Sequence, residues 1–291
     1  MRGGPDAQDA GPPRRCADGT GLCDTFAMTI VLIAVALYLA TTIVLVLGVA
    51  RGRSGGPGHG WLLPALPAVA LHAVHHVMAW RAAGGTDLHF FSALSLVGLG
   101  MALLTLLVGA RGRMATLGVV VFPIAAATLA GYAGYGHRLV DTMDPGVQLH
   151  AWCAVLAYAT LAVAALLAIM LWLQERALRR RDFHAWLRVL PPLTELETLL
   201  FRTIAAGFVL LTATLLTGVL FVDDLFAQHL VHKTVLSVLS WLAFGALLFG
   251  RWRHGWRGTV AVRWTLAAMA LLVLSFFGTK FVLELVLRRA L

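Results

Sequence analysis

Eight long apolar segments, separated by short polar stretches, follow one another along the chain. They lie at about 28–50, 61–82, 90–110, 115–135, 147–174, 203–222, 230–250 and 260–287. Each is close to the roughly 20 residues that a helix needs to cross the hydrocarbon of a bilayer. The pattern predicts an all-α polytopic membrane protein of about eight transmembrane helices, with residues 28–291 forming a single transmembrane domain.

The composition agrees with this fold class. Of the 291 residues, 59% are hydrophobic and 13% are charged, whereas roughly a quarter of the residues in soluble domains are charged. Residues 1–27 differ from the rest because they are rich in Gly, Pro, Asp and Arg and have no apolar face. Such a composition predicts a disordered tail, or an extension ahead of a start at Met28.

The net charge of +9 is distributed unevenly between the loops. Most of the 23 lysines and arginines lie in the first, third, fifth and seventh loops. Because cytoplasmic loops carry the excess of Lys and Arg, both termini are predicted to be periplasmic. Topology explains the charge, so we expect no nucleic-acid partner. The long fifth loop, 174–202, is expected to form a short interfacial helix with Trp186 at headgroup depth, broken by Pro191-Pro192.

Histidines gather toward the predicted periplasmic side. Span 2 contains His72, His75 and His76, whose spacing places them on one broad helix face. The others on this side are His89, His137, His150, His229 and His232. An imidazole in hydrocarbon must be hydrogen-bonded, ligating or titrating, because an unpaired polar group costs several kcal/mol there. A structural hydrogen bond is the simplest interpretation for His72 alone, but histidines at four helix ends indicate a site.

Three chemistries use clustered histidines. A zinc site needs three or four closely spaced ligands, and no HExxH motif occurs. A proton relay needs intramembrane carboxylates, and the one plausible candidate, Glu284, has Lys280 four residues earlier as its expected partner. Haem needs axial imidazoles from different helices, aromatic and apolar walls, and cations for its propionates. Haem therefore fits the composition best.

The haem interpretation assigns particular residues. His150, with His232 or His229 from span 7, would supply the axial ligands of the iron, and the span 2 histidines a deeper site or relay. Aromatic walls are expected from Phe90, Phe91, Trp152, Tyr158, Phe226 and Trp241. Cations are expected from Lys233, Arg138 and Arg81. Because the chain has no CxxCH motif for covalent attachment, the cofactor would be a non-covalent haem b.

From residue 147 onward the sequence resembles a known family. The residues that carry the likeness are LHxxxxxLAYA from Leu149, LxTG ending at Gly218, HKTxxSxxSW from His232, and GWRG from Gly255. This order resembles the cytochrome c assembly protein family of CcsA/CcmC/HemX-like haem-handling membrane proteins, and most of all its short branch with eight spans. The first half, 28–135, matches more loosely.

The resemblance implies roles for individual residues. It makes His150 an axial haem ligand at the outer face, and places the span 2 histidines where the family has an intramembrane histidine that holds haem in transit, with His76 preferred. His232 and Lys233 fall where longer members end a tryptophan-rich periplasmic loop. That loop is missing here, and Thr279, Lys280 and Glu284 stand where longer members have a second outer histidine. These departures favour haem binding over synthase activity.

The sequence thus predicts a bacterial inner-membrane protein that binds or moves haem near its periplasmic face during cytochrome c assembly. It is expected not to be an enzyme itself, since thioether formation would belong to a partner among the cytochrome c maturation proteins. Two alternatives stay open at this stage. One is a non-haem accessory or regulatory subunit of another membrane complex, with structural histidines. The other is an ion-coupled transporter, which the shortage of intramembrane acids disfavours.

Overall fold

The structure, a computed structural model, describes residues 20–51, 58–86, 88–110, 113–135, 144–180, 191–221 and 228–278. All regular elements within these ranges are helical, and eight helices are long and apolar enough to cross a membrane. The predicted all-α polytopic fold is confirmed. The helices are α1 (Thr20–Ala50), α2 (Leu62–Ala83), α3 (Phe90–Gly109), α4 (Gly118–Tyr135), α5 (Pro145–Arg180), α6 (Leu193–Phe221), α7 (Gln228–His254) and α8 (Gly258–Val273).

Several helix ends differ from the predicted spans. Helix α1 begins at Thr20, so its first two turns lie in the segment assigned to the tail. Helix α8 is followed by a π-helical turn, Leu274–Gly278. The predicted Lys280–Glu284 pair and most of the tail lie outside the described residues.

The prediction for the fifth loop was wrong in extent. Its first residues continue α5 as far as Arg180, and the residues from Leu193 onward belong to α6. The physical reason is that Glu, Arg, Ala and Leu are good helix formers in water as well as in lipid. Pro191 and Pro192 precede α6, a position where a missing N–H costs little. Trp186 lies outside the described residues.

The first four helices form one packed group. Helix α1 packs against α2 and α4, and α3 packs against α4. Tyr38, Trp61 and Phe122 are fully buried between them, and the Tyr38 and Phe122 ring centroids are 5.9 Å apart. This group encloses the span 2 histidines.

Helix α5 connects the two halves of the molecule. It packs against α3 on one side and against α6 and α8 on the other, and α7 contacts α6 and α8. The α5–α6 contact is close, since a Cβ atom on Gly207 would lie 2.5 Å from Leu161 Cδ2. Small residues at such crossings let helices approach each other in membranes.

The two ends of the helix bundle are identified by different features. At one end, here called the Glu197 end, Glu197 accepts hydrogen bonds from Arg251 at 2.7 Å and Arg257 at 3.2 Å. The opposite end, here called the His150 end, holds the start of α5, the end of α6 and the start of α7. The predicted periplasmic face corresponds to the His150 end.

Candidate functional site

The span 2 histidines are buried inside the first four helices. His72, His75 and His76 are 0%, 3% and 1% exposed. Because they are buried, each ring meets side chains of the protein rather than water. This burial explains why the polar groups around them are arranged in a network.

Hydrogen bonds connect two of these rings to α1 and α3. The Tyr38 hydroxyl lies 3.1 Å from His72 Nδ1, and His72 Nε2 lies 2.9 Å from Ser95 Oγ. His76 Nε2 lies 3.0 Å from the same Ser95 Oγ. The chain Tyr38–His72–Ser95–His76 therefore runs across three helices, with both Nε2 atoms engaged by a single serine. Sequence reasoning identified the histidines but not Tyr38 or Ser95.

Aromatic rings fill the space beside this network. The His76 ring is stacked on Tyr132 of α4, with centroids 4.8 Å apart and planes 11° apart. His75 and His89 each contact the same tyrosine ring, with centroids 5.6 Å from it. Tyr132 is thus the common neighbour of three histidines, two from α2 and one immediately before α3.

The rings continue from this cluster toward α5. His76 lies 5.7 Å from Trp80, and Trp80 makes an edge contact of 5.3 Å with Trp152. Trp152 is two residues from His150 on the same helix. The structure therefore groups His72, His75 and His76 and keeps His150 apart from them, while Trp80 and Trp152 extend the ring cluster from α2 to α5.

His150 is held by the backbone of α6. Its Nδ1 atom lies 2.9 Å from the Thr214 carbonyl oxygen and 3.3 Å from Thr217 Oγ1. A carbonyl can only accept, so Nδ1 carries the hydrogen. In a neutral imidazole this leaves the lone pair on Nε2. Metal-ligating histidines usually have this same arrangement, with the second nitrogen donating to a carbonyl.

Gly218 allows this close contact between α5 and α6. A Cβ atom at this position would lie 3.1 Å from His150 Cε1 and 3.3 Å from Nδ1. Thr217 and Gly218 are the final two residues of the LxTG motif. The motif therefore supplies a hydroxyl beside Nδ1 and the space that the imidazole ring occupies.

A cavity of about 340 Å³ opens beside His150, between α5, α6, α7 and α8. Its walls are mainly apolar. The residues that line it are His150, Ala154, Ala157, Tyr158, Leu211, Thr214, Leu215, Gly218, Val219, Lys233, Thr234, Ser237, Val238, Leu272, Ser275 and Phe276. Small-molecule sites range from about 300 to 1,000 Å³, so this cavity is within that range.

Hydroxyl groups hold α5, α7, α8 and the π-helical turn together along the cavity. Ser275 Oγ donates to the Lys233 carbonyl at 2.7 Å and lies 2.8 Å from Ser237 Oγ. Tyr158 donates to the Leu272 carbonyl at 2.7 Å. Ser275 belongs to the π-helical turn, a geometry often found at functional sites.

The structure distributes the other predicted site residues as follows. Lys233 lines the cavity. His229 and His232 lie in the first five residues of α7, where only the backbone is described. His137, Arg138 and Phe226 lie outside the described residues. Within the described ranges, no three His, Cys, Asp or Glu side chains are placed to hold a metal ion together.

The predicted aromatic walls mostly pack elsewhere. Tyr158 lines the cavity as expected. Phe90 contacts Phe91, whose ring is stacked on Tyr135. Trp241 is stacked on Phe208 and donates to Thr212 at 2.9 Å. Trp152 contacts Trp80, as described above. Phe276 completes the cavity wall and was not identified from the sequence.

Comparison with known proteins assigns the chain to a family. The family model described as Cytochrome C assembly protein matches residues 62–287. Inner membrane protein YpjD of Escherichia coli K12 is 30% identical over 235 residues, which are 78% of this chain and 89% of the relative.

Two further relatives match over shorter stretches. Protein HemX of Brevibacillus brevis is 25% identical over 131 residues, 44% of this chain and 48% of the relative. Cytochrome c biogenesis protein CcsA of Prochlorococcus marinus is 30% identical over 89 residues, 30% of this chain and 28% of the relative. No solved structure gave a significant match. Since the family model spans most of the chain and the YpjD similarity covers nearly the whole relative, this multi-pass membrane protein belongs to the cytochrome c assembly protein family.

Proposed function

We propose that the chain binds a non-covalent haem b in the His150 cavity and handles it for cytochrome c assembly. The observation that carries the proposal is the hydrogen bond from His150 Nδ1 to the Thr214 carbonyl at 2.9 Å. It fixes the tautomer in which Nε2 is the metal-binding nitrogen, on a residue that lines a cavity of about 340 Å³. A half-buried imidazole prepared in this way is suited to ligate haem iron.

The lining residues fit a haem group. Its ring requires apolar walls, which Leu211, Val238 and Leu272 provide, and Phe276 adds an aromatic side. When bound, haem supplies an iron atom with axial positions for imidazole nitrogens. The chain's own contribution is to hold His150 in one tautomer and to surround the ring with apolar side chains.

The second axial ligand is proposed to come from the start of α7. His229 is four residues before Lys233, a cavity-lining residue, and this spacing puts the two positions on one helix face. His229 is therefore the first candidate, and His232 the second. Separate alanine substitutions distinguish them, because loss of one axial imidazole converts a six-coordinate haem spectrum to a five-coordinate one.

The deeper haem site in span 2 stays a prediction. The Nε2 atoms of His72 and His76 are both hydrogen-bonded to Ser95 Oγ. These hydrogen bonds would have to break before either Nε2 atom could ligate haem iron. The hydrogen-bond chain Tyr38–His72–Ser95–His76 favours a structural role for these two histidines. The alternative of a non-haem accessory subunit assumes such a role for all the histidines. The haem proposal rests on His150 alone and does not need the span 2 site.

The cellular setting is inferred from the relatives' names. YpjD is named an inner membrane protein and CcsA a cytochrome c biogenesis protein. We place the chain in the bacterial inner membrane with the His150 end toward the periplasm, as its charge distribution predicts. Haem would pass to other cytochrome c maturation proteins, and thioether formation would belong to one of them.

Haem titration of the purified protein tests the proposal. Wild type is expected to develop a sharp Soret band and reduced α and β bands at one equivalent of haem. His150→Ala should lose the sharp reduced α and β bands and show at most a five-coordinate haem spectrum. His254→Ala replaces an exposed histidine at the Glu197 end and should bind haem as wild type does. A wild-type protein that takes up no haem would refute the proposal.

A further inference from the structure

A second cavity lies at the Glu197 end of the bundle, between the last turns of α5 and the first turn of α8. Its volume is about 450 Å³, and its lining residues are Trp172, Glu175, Arg176, Arg179, Arg180 and Thr259. Spacings of three and four residues place the three arginines on one face of α5. This cavity is therefore basic, whereas the His150 cavity has mainly apolar walls.

The protein compensates the positive charge of this cavity only in part. The Glu175 carboxylate lies against Gly258, the first residue of α8, where an added Cβ atom would be 2.6 Å from Glu175 Oε1. The same carboxylate interacts electrostatically with Arg179. Within the described part of the chain, no ion pair involves Arg176 or Arg180. Three arginines against one carboxylate leave an excess of positive charge, which favours an anionic occupant.

The cavity also lies where the apolar part of α5 meets its charged end. Trp172 and Leu173 are 39% and 43% exposed, so they offer apolar surface beside the arginines. The Arg176 guanidinium lies 5.2 Å from the centroid of the Trp172 ring, and this cation–π contact holds the charge next to the apolar surface. Tryptophan in this setting is typical of headgroup depth in a bilayer. A ligand that contacts both surfaces must join an anionic group to an apolar chain.

We propose that this cavity binds an anionic phospholipid, with Arg176 and Arg180 contacting the phosphate and Trp172 contacting the adjoining apolar chains. Arginine suits this role because its planar guanidinium can donate two hydrogen bonds to one phosphate. Thr259 adds a hydroxyl from α8, so the lipid bridges α5 and α8. The charge distribution predicts that this end is cytoplasmic, and basic pockets between membrane helices on that side bind anionic headgroups.

Native mass spectrometry of the delipidated full-length protein tests this, because it counts bound lipids. Wild type is titrated with phosphatidylglycerol and with phosphatidylcholine in a neutral detergent at about 0.15 M ammonium acetate. One phosphatidylglycerol should bind about tenfold more tightly than phosphatidylcholine, whose choline cation offsets the phosphate charge. Arg176→Gln/Arg180→Gln should weaken phosphatidylglycerol binding about 25-fold, from about fivefold for each arginine.

Arg202→Gln/Arg253→Gln is the matched control. Both arginines are exposed at the same end of the bundle and neither lines the cavity, so the variant loses the same charge. Attraction between exposed charges is screened over about 8 Å at this salt concentration, so the control should lose about twofold in affinity or less. Equal losses in the two double variants would show that any positive charge at this end attracts the lipid, and would overturn the site.

Two further outcomes would also overturn the proposal. Displacement of phosphatidylglycerol by inorganic phosphate at millimolar concentration would show that the cavity takes free phosphate rather than a lipid. Equal binding of phosphatidylglycerol and phosphatidylcholine by wild type would overturn it without any variant, which decides the question even if the Arg176→Gln/Arg180→Gln protein does not fold.

Discussion

Replacing Gly218 by alanine perturbs the position of His150, the proposed haem ligand, while leaving His150 itself unsubstituted. The added methyl would lie 3.1 Å from His150 Cε1, whereas carbon atoms pack best at about 3.5–4.0 Å. The ring must therefore move away from α6 by about 0.4 Å. Thr214 is also on α6, so the same movement stretches the Nδ1–carbonyl hydrogen bond from 2.9 Å to about 3.3 Å, beyond the usual limit of about 3.2 Å.

The size of the effect follows from this bond. A weakened neutral hydrogen bond costs about 1 kcal/mol, which raises the dissociation constant for haem about fivefold. Freed from Thr214, the ring of the unloaded protein also loses its preference for the tautomer with hydrogen on Nδ1, which weakens haem binding in the same direction. Equilibrium haem titration with optical detection measures this loss of affinity.

Gly134→Ala is the matched control for this substitution. Gly134 is also helical, and a Cβ added there would have no neighbouring heavy atom within 4 Å. The haem affinity of Gly134→Ala should therefore equal that of wild type. If Gly218→Ala binds haem with the affinity and spectrum of Gly134→Ala, the contact between α6 and His150 does not control the ligand, and the reasoning is refuted.

Two further substitutions test the rest of the structure. Ser95→Ala removes the partner of two buried imidazoles and should destabilise the protein in detergent unfolding by roughly 1–3 kcal/mol, the cost of leaving buried polar groups unsatisfied. Thr105→Val, which removes a hydroxyl bonded within α3 itself, should cost less, and equal losses would contradict the interhelical role. Arg251→Ala should lower the free energy of unfolding by about 1–2 kcal/mol, because the ion pair of Arg251 with Glu197 is partly buried. The Arg257 side chain is 66% exposed, so Arg257→Ala should change the free energy of unfolding by about 0.5 kcal/mol or less. A larger loss in Arg257→Ala than in Arg251→Ala would contradict this assignment.

The sequence was sufficient for the membrane spans but not for their ends. Apolar length identified eight helices because nothing else in a bilayer satisfies the backbone over about 20 residues. The same signal disappears where a helix continues into water, so the last turns of α5 up to Arg180 and the first turns of α6 from Leu193 were assigned to a loop. There, helix propensity and the two prolines at 191 and 192 determine the boundary.

The candidate site was predictable in its histidines and not in its geometry. The partner of His150 is a backbone carbonyl 64 positions along the chain, and every residue has such a carbonyl, so composition carries no signal for it. From the sequence, Gly218 could be identified only as the last residue of the LxTG motif. The need for glycine there is steric, since the His150 ring occupies the space of a side chain. The prediction of the aromatic walls was mostly wrong for a related reason. Helical spacing shows which face of α7 carries Trp241, but not which neighbouring helix that face contacts.

The central claim is that His150 Nε2 ligates haem iron, and replacement of its imidazole tests this most directly. His150→Gly, loaded with haem, should lose the low-spin histidine signal in electron paramagnetic resonance. Added imidazole should enter the space left beside Thr214 and restore that signal, while leaving wild type unchanged. If His150→Gly keeps the wild-type signal without imidazole, His150 is not the ligand and the account is wrong.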